Sequence, residues 1–238
     1  EKVSEKKANI LSSPNFGYKH VLKRFKPEKQ TSLDLSHVRI IFNGAEPISA
    51  DLCREFNAVM KPFGLSDTAM FTVYGLAEAC LVVTFPKLAQ PLSTLHVLRS
   101  SLIEGQPVQI VDSPSDKSIE LVRLGYPITG TQLMMADSNG AAVSDNVIGR
   151  VLIKGENVTK GYYHETTLNE QLISADGWLD TGDQCLINDG QLIITGRTKD
   201  LIIVHGQNYY APDLESVCEG VDRIELGKVA VCGGLNPE

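Results

Sequence analysis

The chain has 238 residues, 42% of them hydrophobic and 21% charged, which is enough apolar surface for a sizeable buried core. Its 22 basic and 29 acidic residues give a net charge of −7, the wrong sign for binding nucleic acid phosphates, and no apolar stretch approaches the roughly 18 residues that a membrane span needs. Five scattered cysteines without C-x-x-C spacing argue against a disulfide framework and a zinc site, so we expect a folded cytoplasmic protein.

The first half of the chain alternates between strand and helix patterns. Residues 38–42 form a β-branched run that predicts a buried strand, and Ser49 can cap the helix that follows. A second strand is predicted over residues 70–74, and a second helix is expected after the segment YGLAEA at residues 74–79. Strand, helix and strand in this order favour a parallel α/β layer. The apolar face of the first helix is predicted to contain Leu52, Phe56, Val59 and Met60.

From about residue 125 the pattern becomes that of antiparallel β structure. The dipeptides Asn139-Gly140 and Asp189-Gly190 each lie between alternating runs, and each can supply the two positive-φ residues of a type I′ hairpin. After a break near residues 198–200, the runs LIIVHG at 201–206 and KVAVCGG at 228–234 flank a predicted helix start, which suggests a small β-α-β unit. The alternating runs themselves occupy residues 132–136, 148–153, 184–188 and 191–195.

Two glycine-bearing turns, NGAEP at 43–47 and YGLAE at 74–78, follow predicted strands at the edge of the sheet where α/β proteins bind ligands. Tyr74 offers a ring on which a base could stack, and Glu78 offers an oxygen ligand for Mg²⁺. In isolation, the motif favours the alternative interpretation, in which Tyr74 is a core aromatic and Glu78 a solvated residue in the first turn of a helix.

Two downstream motifs contribute polar groups of the same kind. In GWLDTGD at 177–183, Asp183 follows a glycine and could accept hydrogen bonds from two sugar hydroxyls. In GRTKD at 196–200, Arg197 could hold a phosphate or a ribose oxygen. An ordinary Asp turn and an exposed basic loop are the competing interpretations of these two motifs.

Taken together and in order, these segments resemble the adenylate-forming, AMP-binding superfamily of acyl-CoA synthetases, fatty-acyl-AMP ligases and peptide-synthetase adenylation domains. The likeness runs from about residue 10 to residue 232. The motifs that carry it are NGAEP, YGLAEA, GENVTKGYY at 155–163, GWLDTGD and GRTKDLIIVHGQNYYAPDLE at 196–215.

The resemblance implies an enzyme that uses ATP and Mg²⁺ to convert an acid into acyl-AMP. Glu78 would help to bind the ion, and Lys199 would lie at the hinge of a mobile C-terminal domain. Tyr74 would stack on adenine, Asp183 would hold the ribose with Arg197 close by, and the loop that begins at Gly44 would lie beside the adenine and the acyl group. The residues expected to bind the nucleotide are Gly44, Ala45, Glu46, Pro47, Tyr74, Gly75, Leu76, Ala77, Asp183 and Arg197.

Three features narrow the resemblance to fatty-acyl-AMP ligases. The segments SSPNFGY at 12–18 and QNYYAP at 207–212 look like those ligases, and residues 86–124 resemble their specific insertion. In that group the insertion is thought to hinder the domain rotation that admits CoA, so the acyl group passes to the phosphopantetheine arm of an acyl carrier protein. An ordinary surface loop of variable length is the alternative for residues 86–124.

The family's N-terminal phosphate loop and C-terminal catalytic lysine are not found in this chain, so we expect a fragment with little activity of its own. The rival functions are a long-chain acyl-CoA synthetase and a nucleotide-binding or carrier-docking fragment. The five histidines, His205 among them, lack metal-ligand spacing and are interpreted as structural or solvated. The predicted fold class is α/β: the end of a large parallel-sheet domain over residues 1–124, an antiparallel β subdomain over 125–198, and the start of a small α+β domain over 199–238.

Overall fold

A computed structural model describes residues 2–30, 32–204, 207–225 and 227–234, and it confirms the predicted α/β class. The helices are α1 Lys2–Glu5, α2 Asn15–Arg24, α3 Ala50–Met60, α4 Thr166–Leu172 and α5 Ala211–Glu219. The strands are β1 Ile10–Ser13, β2 Ile40–Asn43, β3 Met70–Thr72, β4 Thr84–Phe85, β5 Thr94–Leu98, β6 Ser118–Val122, β7 Tyr126–Pro127, β8 Thr131–Ala136, β9 Gly149–Gly155, β10 Leu179–Asn188, β11 Gln191–Arg197, β12 Leu201–Val204 and β13 Gln207–Tyr210.

The parallel layer predicted for the first half of the chain is present. Strands β1, β2 and β3 form a parallel sheet in that order, and α3 connects β2 to β3. Ser49 caps α3 by accepting a hydrogen bond from the Leu52 amide at 3.2 Å. The predicted apolar face of α3 packs against the sheet, with Leu52, Phe56 and Met60 buried and Val59 partly buried.

The antiparallel layer contains β8 to β11 in the order β11-β10-β9-β8. At the β10–β11 hairpin, Asp189 and Gly190 both have positive φ, at 53° and 73°, as a type I′ turn requires. The prediction for Asn139-Gly140 was wrong in this detail, because only Gly140 has positive φ, at 82°. There the side chain of Asp137 accepts hydrogen bonds from the amides of residues 139 and 141 and so shapes the turn itself.

Two other predicted elements are not formed. The helix expected after YGLAEA is replaced by a three-residue 3₁₀ turn, Ala77–Ala79, because Cys80 and Leu81 adopt positive φ values of 50° and 91° that no α-helix contains. Residues 228–234 form no strand, so the expected β-α-β unit is instead the antiparallel hairpin β12–β13 followed by α5. His205 and Gly206, at the end of the run LIIVHG, lie outside the described residues.

Residues 86–124 are more than a simple surface loop. Strands β5 and β6 pair antiparallel within this stretch, and Val97 and Leu121 are buried in a small core. That core also includes Leu186 of β10 and Tyr210, at the end of β13. The stretch therefore joins the antiparallel layer to the C-terminal hairpin. Across the described part of the chain, no helix is both long and apolar enough to cross a membrane.

Candidate active site

A bulge in β10 directs Asp183 into the interior. The register of β10 against β9 moves from Asp180↔Leu152 to Gln184↔Arg150, so three residues of β10 oppose a single residue of β9. Within the bulge Gly182 has a φ of 73°, and its amide donates to the Asp180 carboxylate at 3.0 Å. The Asp183 carboxylate is consequently taken out of solvent, with 8% of its side chain exposed.

Both oxygens of the Asp183 carboxylate have partners. The Tyr74 hydroxyl donates to Oδ2 at 2.6 Å, and the Arg197 Nε donates to Oδ1 at 3.0 Å. Arg197 is the cross-strand partner of Asp183 in the β10–β11 ladder, so the register of the hairpin itself brings these two side chains together. Burial raises the pKa of Asp183, although Tyr74 and Arg197 act in the opposite direction.

Tyr74 belongs to a closed loop at the carboxyl end of β3. The Tyr74 carbonyl accepts the amides of Val83 and Thr84 at 3.0 and 3.1 Å, which returns the chain to its starting point. Gly75 is required here, because a Cβ at this position would lie 1.6 Å from the Leu81 carbonyl oxygen. Tyr74 is 9% exposed and packs in the core between the two layers. Its phenol pKa is raised, first by burial and then by the charge of Asp183.

Glu78 lies on the same loop and is half-buried. Its carboxylate accepts a hydrogen bond from the Tyr162 hydroxyl, and its main-chain carbonyl accepts the Thr159 amide at 2.7 Å. Leu76 and Ala77 connect Gly75 to Glu78, and Ala77 is exposed. The segment GENVTKGYY, whose role the sequence did not reveal, therefore packs on the loop that carries Tyr74 and Glu78.

The loop NGAEP lies at the end of the neighbouring strand, β2. A Cβ on Gly44 would come within 3.0 Å of the Val73 carbonyl oxygen, so this glycine permits the close approach of the two strand ends. Ala45 adopts a positive φ of 69°, and Glu46 accepts the Phe16 amide at 2.7 Å. The exposed Pro47 follows, and its carbonyl accepts a hydrogen bond from Asn15.

The structure thus brings together most of the residues singled out in the sequence. Tyr74, Asp183 and Arg197 are in direct contact, Gly75 to Glu78 continue the Tyr74 loop, and Gly44 to Pro47 lie at the adjacent strand end. Lys199 is exposed in the 3₁₀ turn Thr198–Asp200, just beyond Arg197. The supporting residues that the sequence analysis did not identify are Asn15, Arg150, Asn157, Tyr162 and Asn169.

The candidate site could supply only a few protein ligands to a metal ion. Within the described ranges, no group of three or more His, Cys, Asp and Glu side chains could hold a metal ion. Glu78 offers a single carboxylate at the edge of the site. A Mg²⁺ ion commonly takes one or two protein carboxylates and completes its shell with phosphate oxygens and water, and Glu78 fits that kind of site.

Comparison with known proteins places these observations in a family. A family profile described as AMP-binding enzyme matches residues 1–163. A long-chain-fatty-acid–AMP ligase of Mycolicibacterium smegmatis is 36% identical, over 93% of this chain and 38% of the relative. A medium-chain-fatty-acid–[acyl-carrier-protein] ligase of Moorena producens is 30% identical, over 91% of this chain and 38% of the relative.

A solved structure has the same fold. The fatty acyl-adenylate ligase from L. pneumophila, in complex with acyl adenylate and pyrophosphate, is 32% identical to this chain with a TM-score of 0.78. The match covers 93% of this chain and 40% of that structure. This chain therefore spans about two fifths of the length of the relatives that it matches.

Proposed function

The chain belongs to the AMP-binding enzyme family, and from that premise we propose that the protein containing it converts a fatty acid and ATP into acyl-AMP and pyrophosphate. The acyl group then passes to the phosphopantetheine arm of an acyl carrier protein. The observation that carries the proposal is the contact of Tyr74, Asp183 and Arg197 beside the loops of two adjacent strand ends. The names of the relatives support the same chemistry, since they include fatty-acid–AMP and fatty-acid–carrier-protein ligases.

In the proposed reaction a fatty acid carboxylate oxygen attacks the α-phosphorus of ATP, and the bond from that phosphorus to the pyrophosphate oxygen breaks. Asp183 is suited to hold the ribose, because a carboxylate has about four acceptor sites and Tyr74 and Arg197 occupy two of them. The bond from Tyr74 to Asp183 fixes the orientation of the ring, and adenine would stack on the small part of the ring that the core leaves exposed. The backbones of residues 44–47 and 75–77 would line the adenine and acyl positions.

Glu78 is the residue that would hold Mg²⁺ together with ATP phosphate oxygens. Bound there, the ion would neutralise the charge that develops on the phosphates as pyrophosphate leaves. Glu78 keeps one carboxylate oxygen for this role while Tyr162 donates to the other. Arg197 is 67% exposed, so in the proposed site its guanidinium would be available to a phosphate or a ribose oxygen.

Contacts that link residues 86–124 to the segment beyond Lys199, directly and through β10, support a carrier protein as the acceptor. Arg99 donates to Asp213 at 3.3 Å, across the hinge proposed at Lys199. Gln184 donates to Glu104 at 3.1 Å and accepts from the Tyr210 hydroxyl at 2.9 Å. These bonds would resist rotation of the segment beyond Lys199, the movement by which acyl-CoA synthetases admit CoA.

The test is an acceptor assay on the full-length protein with the double variant Arg99→Ala and Glu104→Ala, which removes the acceptor for Gln184. We expect the wild type to acylate a holo carrier protein and to make little acyl-CoA, and the variant to gain acyl-CoA formation. Lys117→Ala, an exposed change in the same stretch, is the control. Efficient acyl-CoA formation by the wild type, unaltered in the variant, would identify a long-chain acyl-CoA synthetase instead.

A further inference from the structure

The segment GENVTKGYY wraps around the loop that carries Glu78. The Asn157 side chain donates to the carbonyls of Ala79 and Val82 at 3.0 and 3.3 Å, and the Thr159 amide donates to the Glu78 carbonyl at 2.7 Å. Tyr162 completes the wrap, because its hydroxyl donates to the Glu78 carboxylate. Main-chain and side-chain atoms of Glu78 are therefore both bound by one segment.

Tyr162 is not held in place by burial, since it is 40% exposed. Asn169, on α4, holds it instead: its Oδ1 accepts the Tyr162 amide at 2.7 Å, and its Nδ2 donates to the Tyr162 carbonyl at 2.8 Å. Of the uncharged side chains, only an amide presents a strong acceptor and a strong donor at this spacing. Gly161 makes room for the arrangement, because a Cβ there would lie 2.7 Å from the Asn169 side-chain amide.

We propose that Asn169 and Tyr162 are positioning residues that act in series to orient the Glu78 carboxylate for its role in adenylate formation. The inference rests on the proposed function for what Glu78 does. The inference assigns a role to the segment at 155–163, a motif whose chemistry is not evident from the sequence. Partners that orient a metal-binding carboxylate typically affect metal affinity or activity by roughly 10–100-fold.

The test is a Mg²⁺ titration of acyl-AMP formation by the full-length protein. We expect Tyr162→Phe to raise the Mg²⁺ concentration for half-maximal rate by about tenfold, and Asn169→Ala to raise it in the same direction. Because Asn169 acts through Tyr162, the double variant should have the same midpoint as Tyr162→Phe alone. The controls are Gln171→Ala, an exposed change on α4, and Tyr163→Phe, at a residue that is 87% exposed.

A second readout does not depend on activity. Amide hydrogen exchange of residues 76–82 and 157–163 should be faster in Asn169→Ala than in the wild type and unchanged in Gln171→Ala. Exchange rates in Asn169→Ala equal to those of the wild type would overturn the inference. So would a wild-type Mg²⁺ midpoint in Tyr162→Phe, or a double variant clearly worse than Tyr162→Phe.

These outcomes separate the inference from the proposed function. If the wild type forms acyl-AMP and the variants have unchanged Mg²⁺ midpoints, the proposed function stands and the positioning role is refuted. If the wild type forms no acyl-AMP, the proposed function is refuted. The amide hydrogen exchange of residues 76–82 then tests by itself whether Asn169 and Tyr162 hold the loop.

Discussion

Removing the Tyr74 hydroxyl should destabilise the protein by about 2 kcal/mol at neutral pH. The hydroxyl donates to a buried carboxylate at 2.6 Å, and both residues are less than a tenth exposed. Hydrogen bonds to charged groups contribute about 1.5–3 kcal/mol, and Phe preserves the packing of the ring in the core. The measurement is the free energy of unfolding of Tyr74→Phe from equilibrium urea titration.

The pH dependence of this loss has a definite sign. Tyr74 stabilises the ionised form of Asp183, so its contribution is present at pH values where Asp183 is charged and shrinks as acid protonates it. Tyr74→Phe and the wild type should therefore converge in unfolding free energy as the pH falls. Tyr163→Phe, at an exposed residue, serves as the control and should change stability by less than about 0.5 kcal/mol. A loss for Tyr74→Phe that is equally small, or that does not depend on pH, would refute this reasoning.

Two further predictions concern ion pairs, one between α3 and β6 and one at the bulge in β10. Arg54 donates two hydrogen bonds to the Glu120 carboxylate, at 2.9 and 2.5 Å. These bonds lower the pKa of Glu120 from its ordinary 4.5 to about 2. The pair therefore stabilises the fold above pH 4.5, and this stabilisation is lost as the pH falls toward about 2. Arg54→Met should lower the free energy of unfolding, measured by urea titration at neutral pH, by about 1 kcal/mol, a small value because the Arg54 side chain is half exposed. The difference between the variant and the wild type should vanish in acid. A difference that persists in acid would contradict this prediction. Asp180 bonds both Arg150 and the Gly182 amide, so Asp180→Ala should loosen the bulge and weaken binding of an acyl-adenylate mimic about tenfold by calorimetry. Asp180→Asn, which can still accept from Gly182, should lose less, and equal affinities for the two variants would contradict this account of the bulge.

The parts of the fold that local sequence patterns determine could be predicted. The strand–helix–strand order around α3 follows from the apolar face of the helix and the Ser49 cap, and the turn at Asp189-Gly190 follows from the φ values that those residues tolerate. By contrast, the helix expected after YGLAEA depended on local pattern alone. In the structure, the contact of Gly75 with Leu81 and the return of the chain to Tyr74 determine that loop instead.

In the candidate site, too, some residues lie in local sequence motifs and others are identified only by contacts between distant parts of the chain. Tyr74, Glu78, Asp183 and Arg197 can be proposed from the sequence because each lies in a motif of recognisable residue types. The residues that hold them were missed, because their bonds join distant parts of the chain and leave no local signal. Tyr162 reaches Glu78 across 84 positions, and Asn15 reaches Pro47 across 32. The sequence near Asn169 gives no sign that its side-chain amide is hydrogen-bonded to the main chain of Tyr162.

The most direct test of the account is calorimetric binding of a non-hydrolysable acyl-AMP mimic to the full-length protein and to its Asp183→Ala variant. If the Tyr74–Asp183–Arg197 cluster forms the ribose site, the wild type should bind the mimic tightly and the variant should lose about a hundredfold in affinity, which corresponds to about 2.8 kcal/mol. Asp222→Ala, at a fully solvated carboxylate, should bind like the wild type. Affinity that survives Asp183→Ala in a folded variant would show that the adenylate does not bind at this cluster.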